Sequence, residues 1–245
     1  MSRAVKSADR TLDIFELFFR ERRPMSLKEI AAELGFPASS TTYLLKSLSA
    51  GGYLNYNKRF RSYFPTSRMK SITSWIDDYL PENSEIMDIM KQLRREFGET
   101  VAIGIRNDVN LQYLKALESD YPIRYHIEEG AQRPLIEAAM GWVILADLPD
   151  DKIDTIYRRT EYPDVSRKIP FKDLIAAIRT VRETGYCYSN DQTVPYFAST
   201  IAMKLKDQYN NQTVVIGLGG EKTRISARAE EIVSRIEEIT RSSIT

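Results

Sequence analysis

Between Ser26 and Gly52 the local signals leave the chain little freedom. Ser26-Leu27-Lys28-Glu29 sets a serine at a helix N-cap with a glutamate three residues on, the reciprocal arrangement that fixes where a helix begins. Leu27, Ile30, Ala31 and Leu34 follow at helical spacing, so a short amphipathic helix is expected. Gly35 ends it, and Pro37 suits the first turn of another helix. In that next helix Thr41, Leu44, Leu45 and Leu48 again share one stripe. Two short helices joined by a tight glycine turn make a helix-turn-helix.

The outward face of the second of these helices is chemically distinctive. Ser39, Thr42, Tyr43 and Lys46 lie along it, with Ser40 and Ser47 beside them, and no acidic residue occurs from Leu34 to Asn57. Short hydroxyls reach phosphates and base edges, a lysine neutralises phosphate, and a carboxylate there would be repelled. Ser39, Ser40, Thr42 and Tyr43 are therefore candidates to line base edges, with Lys46 on a phosphate.

An earlier helix over Ser7 to Arg22 is expected, with Ala8, Leu12, Phe15 and Phe19 on its inner face and Pro24 stopping it. After Gly51-Gly52, Tyr53 to Tyr56 alternates like a strand, Asn57 to Ser62 reads as a hairpin tip, and Tyr63-Phe64 returns before Pro65. The tip carries Lys58, Arg59 and Arg61, candidates for phosphate or minor-groove contacts. A helix-turn-helix followed by a basic hairpin is a winged helix. A generic three-helix bundle with a cationic loop would share the periodicity but not this order of cap, turn, polar face and basic hairpin.

Charge supports the division. The net charge of +1 conceals 13 Lys and Arg against 6 Asp and Glu in residues 1–75, and 22 against 28 in the remainder. A basic first third joined to an acidic remainder fits a nucleic-acid-binding module fused to something else. With one cysteine, Cys187, and one histidine, His126, in 245 residues, a Cys/His zinc site and an intramolecular disulfide are excluded. A histidine-dependent catalytic group would have to use His126. The opening residues lack the apolar core of a signal peptide and no apolar run is long enough to span a membrane, so a cytoplasmic protein without metal or cofactor is expected.

Past residue 66 the pattern is mixed. A connector helix containing Trp75 is expected over Ser67 to Leu80, then a helix from Glu82 to Phe97 with Ile86, Ile89, Met90, Leu93 and Phe97 on one stripe. Strands are expected at Thr100–Arg106, Leu111–Leu117, Tyr121–Ile127, Tyr186–Tyr188, Phe197–Leu205 and Thr213–Leu218. Helices are expected at Leu135–Ala146, Phe171–Glu183 and Glu221–Arg241, the last with Ala229, Ile232, Val233 and Ile236 inward. His126, beside Arg124 and Glu128, reads as a surface or structural residue, and Cys187 as a small buried hydrophobe. Glu137 either faces solvent or reaches a pocket. Gly219-Gly220 reads as a strand end, and Gly217 as a place where a ligand has room. A central sheet flanked by helices follows.

The runs SADRTLDIFELFF and MSLKEIAAELGFPASSTTYLLKSLSAGGYL resemble the winged-helix end of the IclR-type bacterial transcription regulators. Glu129-Gly130, Arg133-Pro134-Leu135, Ala138-Ala139-Met140-Gly141, Thr184-Gly185-Tyr186 with Asp191, and the strand Thr213 to Gly220 extend the resemblance along nearly the whole chain. It implies an α+β protein: a winged helix-turn-helix over 1–66, a connector helix over 67–80, and a GAF-like effector-binding and oligomerising domain over 81–245. It implies a homodimer or homotetramer on a two-fold symmetric DNA operator, regulating catabolic genes in response to a small metabolite such as an organic or aromatic acid. The effector pocket carried over by position comprises Met140, Gly141, Asp191, Tyr196, Ala198, Gly217 and Gly219. Two departures stand out. Tyr43 occupies a recognition-helix position where many members carry arginine, so the family's base preference does not transfer. Tyr196 and the glycines replace serines or cysteines common in the pocket, which favours a less polar or aromatic ligand. An architectural DNA binder would share the first domain, and an enzyme would need chemistry that the scarcity of His and Cys withholds.

Overall fold

A computed structural model describes residues 5–79, 84–161, 169–189, 197–209 and 211–242. The chain divides into two compact units, Met1–Leu80 and Pro81–Thr245.

The first unit opens with α1 (Lys6–Glu21). A two-residue strand, β1 (Met25–Ser26), leads into α2 (Leu27–Glu33), and α3 (Ala38–Ala50) follows. The expected cap is present in full: Ser26 Oγ accepts from the Glu29 backbone N–H, and the Glu29 carboxylate accepts from the Ser26 N–H at 2.8 Å. Gly35 takes the left-handed φ of 64° that the turn requires. Thr41, Leu45 and Leu48 point inward, onto Ile14, Leu17, Phe18 and Ile30. The inner face of α1 differs from the expected one. Leu12 and Phe19 are exposed, and Ile14, Leu17 and Phe18 are buried, because the packing stripe is set by where α2 and α3 lie rather than by the apolar residues available.

Strands β2 (Leu54–Asn57) and β3 (Ser62–Pro65) form the expected hairpin, and β1 adds a third strand beside β3, pairing Met25 with Tyr63. The expected single connector helix is α4 (Arg68–Thr73) continued as a 3₁₀ turn, Ser74–Tyr79; Leu80 lies outside the described residues.

The second unit is built on a six-stranded antiparallel sheet of order β6-β5-β4-β9-β8-β7. Its strands are β4 (Thr100–Asn107), β5 (Asn110–Leu117), β6 (Gln132–Pro134), β7 (Tyr186–Tyr188), β8 (Ala198–Tyr209) and β9 (Gln212–Glu221). Helix α5 (Glu85–Phe97), capped by Ser84, buries its expected stripe; Glu82 lies outside the described residues. Helices α6 (Ala139–Ala146), α7 (Asp150–Arg159) and α8 (Phe171–Thr184) form one apolar cluster with Ala202 and Val215 of the sheet. The chain ends in α9 (Lys222–Ala227) and α10 (Ala229–Ser242), which pack on β8, with α10 also against α5. Among the described residues no helix is long and apolar enough to cross a membrane.

Several sequence expectations change here. Tyr121–Ile127 is irregular instead of a strand: Pro122 has no N–H to give, and Thr100 Oγ1 donates to the Tyr125 carbonyl at 3.0 Å in place of a ladder bond. The expected helix at Leu135 begins as a 3₁₀ turn and becomes α6 only after Ala138. Helix α7, unforeseen because Ile153 and Ile156 alone mark its buried face among charged residues, packs both of them into the core. The terminal helix breaks at Arg228, and β9 continues through Gly219 and Gly220 to Glu221. Cys187 is buried as expected.

Candidate functional site

Two sites emerge, one in each unit. On α3, Tyr43 is 73% exposed, and Ser39 and Lys46 also face solvent. Ser40 Oγ donates to the Pro37 carbonyl at 3.0 Å and accepts from Arg10 at 3.2 Å, while Thr42 Oγ1 donates to the Ala38 carbonyl at 2.7 Å. Their protons are committed inside the unit, so Ser40 and Thr42 offer only lone pairs outward. Ser39, Tyr43 and Lys46 keep their full capacity.

At the hairpin tip, Asn57 Oδ1 accepts from the backbone N–H groups of Arg59 (3.0 Å) and Phe60 (3.2 Å), and Arg61 adopts a left-handed φ of 48°. That tight turn projects Lys58, Arg59 and Arg61 into solvent, with no carboxylate partner among the described residues. Two other arginines of this unit are paired: Arg23 bonds Glu29 at 2.8 Å, and Arg20 lies near Glu21 and Glu33. Lys46 on α3 and the three cations of the tip are exposed and offer positive charge to an anionic polymer.

In the second unit a cavity of about 270 Å³ opens on the face of the sheet that carries α6. Its floor follows from register. Thr100 pairs with Gly219, which pairs with Thr200, and the next row on the same face is Ala102, Gly217, Ala202. Two rows of residues this small leave a hollow where larger ones would fill it. Met140 of α6 lies over Gly217, where an added Cβ would come within 2.8 Å of its sulfur, and a Cβ at Gly219 would meet Thr200 Oγ1 at 2.9 Å and the Tyr125 ring at 3.3 Å.

One end of the hollow is polar. A bulge between Ile103 and Gly104 sets Tyr113 opposite Gly104, hence on the cavity face. Arg133 comes from β6 and Tyr125 from the irregular segment. Burial pushes the Tyr113 phenol up while the Arg133 guanidinium pulls it back; burial also pushes Tyr125 up to about 12, again opposed by Arg133. The Tyr125 hydroxyl is buried and makes no hydrogen bond of good geometry, and Arg133 has no carboxylate partner among the described residues. The other end, with Ala102, Ala138, Ala139 and Met140, is apolar.

Of the expected pocket residues, Met140, Gly217 and Gly219 line this cavity. Gly141 does not: it packs on the Leu135 backbone, where a Cβ would lie 2.1 Å from the carbonyl oxygen. Ala198 starts β8 opposite Glu221, away from the lining, and Asp191 and Tyr196 lie outside the described residues. The polar end was missed. Arg133 entered the sequence reading only as part of the family-like run Arg133-Pro134-Leu135, without a role, and nothing local distinguishes Tyr113 or Tyr125 from core tyrosines. His126 also borders the cavity, with its ring exposed and Nδ1 2.5 Å from Glu118; Glu137 is half-buried and not part of the lining.

Residues 7–58 match the IclR helix-turn-helix domain, and residues 83–243 match the C-terminal domain of bacterial transcriptional regulator IclR. The chain belongs to the IclR family. It is an IclR-type, ligand-responsive DNA-binding transcription regulator rather than an enzyme. Among curated relatives, the regulator XynR of Escherichia coli is 20% identical over 190 residues, covering 77% of this chain and 75% of that one. The effector domain of an IclR regulator from Acinetobacter sp. ADP1 is 31% identical with a TM-score of 0.60, covering 64% of this chain and 92% of that one. An IclR homologue from Microbacterium hydrocarbonoxydans, solved with 4-hydroxybenzoate, shares the fold at 13% identity and a TM-score of 0.69, covering 97% of this chain and 100% of that one.

Proposed function

We propose that this IclR-type regulator acts in the cytoplasm as a homodimer or homotetramer on a two-fold symmetric operator, and releases or rearranges on it when a small aromatic or organic acid enters the cavity. Two recognition helices one DNA turn apart, about 34–36 Å, enter successive major grooves. Tyr43 and Ser39 face base edges with Ser40 and Thr42 as acceptors, Lys46 meets a phosphate, and Lys58, Arg59 and Arg61 follow the backbone or the adjacent minor groove. Control of a catabolic gene set fits an effector of this class.

The observation that carries the effector reading is Arg133, a guanidinium without a carboxylate partner, bordering the same hollow as two buried phenols. A ligand anion supplies the missing charge, and a ring or short apolar body lies over the Ala102–Gly217 row toward Met140. The acidic end is therefore held by arginine and tyrosine, where the family commonly places serine or cysteine in the pocket. An effector shifts DNA affinity only by its preference between two arrangements of the protein.

The test is fluorescence anisotropy with the duplex upstream of the protein's own gene and a scrambled duplex, titrated over salt, with a panel of organic and aromatic acids that includes 4-hydroxybenzoate. Sequence-selective binding that an acid alters in wild type, and at least tenfold more weakly in Arg133→Gln, is the expected result. An acid response unchanged in Arg133→Gln refutes the anion site, and equal weak binding to both duplexes refutes sequence-specific regulation.

A further inference from the structure

One side of the cavity is an irregular segment whose start is pinned: Ser119 Oγ and the Asp120 N–H donate to the Gly98 carbonyl, and Arg94 pairs with Asp120. Residues Tyr125 to Glu128, in an irregular segment, form one of its walls. The segment is tied to the sheet by Thr100 Oγ1, which donates to the Tyr125 carbonyl and accepts from the Ser119 N–H at 3.1 Å. A second fastening comes from the far end of the chain. Arg224, on α9, donates through one nitrogen to the Ile123 carbonyl at 3.1 Å, and its guanidinium lies over the Tyr121 ring, 4.3 Å from the centroid. The same guanidinium grips Glu99 with two bonds, of 2.5 and 3.0 Å.

The surroundings are fitted to this ion pair. The Glu99 side chain is only 4% exposed, so its charge depends on Arg224 for compensation. Gly220 makes room for it: a Cβ there would lie 2.2 Å from a Glu99 oxygen. Glu221 accepts from the backbone N–H groups of Thr223 and Arg224, fixing the start of α9 and the position from which Arg224 reaches across. Glu99 and Thr100 are neighbours in β4, so the residue that anchors the ion pair adjoins the one that binds the wall.

We propose that Glu99 and Arg224 are positioning residues that hold the middle of the Ser119–Ile127 segment against the cavity, so that access past this wall is gated by this ion pair. With Glu99 in place, the guanidinium is oriented to grip Ile123 and cover Tyr121. Without it, Arg224 turns to solvent and Ile123 and Tyr121 lose their contact with α9, leaving the wall to the Thr100 bond, the pairs of Arg124 and His126 with Glu118, and the pinned start at Ser119 and Asp120. The gate rests on the effector reading and extends it, since this wall borders the same cavity as Arg133.

The test uses the full-length protein and needs no identified effector. Ala102→Cys places a thiol on the cavity floor, and Cys187, buried with its thiol pushed up, stays silent to a maleimide. Labelling of that thiol and hydrogen exchange of residues 119–127 are compared with and without Glu99→Gln. At least tenfold faster labelling and exchange, with strands Val101–Ile105 and Val214–Leu218 still protected, is expected. Unchanged rates overturn the proposal, as does acceleration spread equally through the strands, which would make the pair a staple of the whole fold. Arg224→Lys, which keeps the charge but loses the two-pronged grip and the second bond to Ile123, gives the same comparison if Glu99→Gln does not fold. Failure of the Arg133→Gln experiment alone removes the effector reading and leaves this gate standing.

Discussion

The wing offers the sharpest quantitative test of the DNA interface. Arg59 and Arg61 are replaced together, by glutamine and asparagine. Asparagine suits position 61 because it tolerates the left-handed φ that Arg61 adopts, and the Asn57 side-chain bonds to the turn backbone are left intact. Neither arginine has a carboxylate partner among the described residues, so their loss leaves no acid unpaired within the unit. If each contacts one phosphate, a dimer loses four contacts, and at about 0.9 per contact the slope of log affinity against log salt becomes shallower by about 3.6. Over a fourfold rise in salt the wild type then forfeits about 150-fold more affinity than the variant. The ratio between operator and scrambled duplex stays near its wild-type value, because phosphate contacts position the protein without reading bases. Anisotropy titrations at four or five salt concentrations measure both quantities. A slope equal to wild type refutes the wing assignment, and a collapsed operator preference with the slope intact would move these residues from backbone to bases.

Two further outcomes follow from local structure. Ser26→Ala removes the hydroxyl that accepts from Glu29 N–H, costing about 1 kcal/mol and speeding amide exchange in α2 about fivefold; an unchanged rate would show that the cap is redundant with tertiary packing. Burial pushes the Cys187 thiol from 9.0 up to about 12, so the unfolded chain releases its proton first as pH rises. The stabilising contribution is whole below pH 9 and declines from there to about 12; Cys187→Ala should flatten that part of a denaturation-midpoint profile, and a profile identical to wild type would contradict the burial.

The first unit was legible because its signals are local. A reciprocal cap, a glycine turn and a polar helix face each depend on residues within a few positions, and the structure reproduces Ser26–Glu29, Gly35 and the Thr41–Leu48 stripe as expected. Local reading failed where packing chose among equivalent stripes: α1 offers Leu12 and Phe19 as readily as Leu17 and Phe18, and only the placement of α2 and α3 decides which are covered. It failed again at Tyr121–Ile127, whose composition suits a strand but whose backbone is claimed by the Thr100 side chain.

By itself the sequence determined a basic helix-turn-helix, its wing and an acidic α/β partner, since capping, turn chemistry and charge act at short range or simply add along the chain. The cavity was decided by tertiary structure. Its floor exists because the β4–β9–β8 register aligns Thr100, Gly219 and Thr200, its polar end because a bulge and a short edge strand bring Tyr113 and Arg133 to the same side, and its fastening because residues 99 and 224 meet across the fold. None of these pairings is encoded in the spacing of neighbours. Side chains that define the site come from segments whose juxtaposition costs loop entropy and is stabilised only once the sheet and its helices have formed around them.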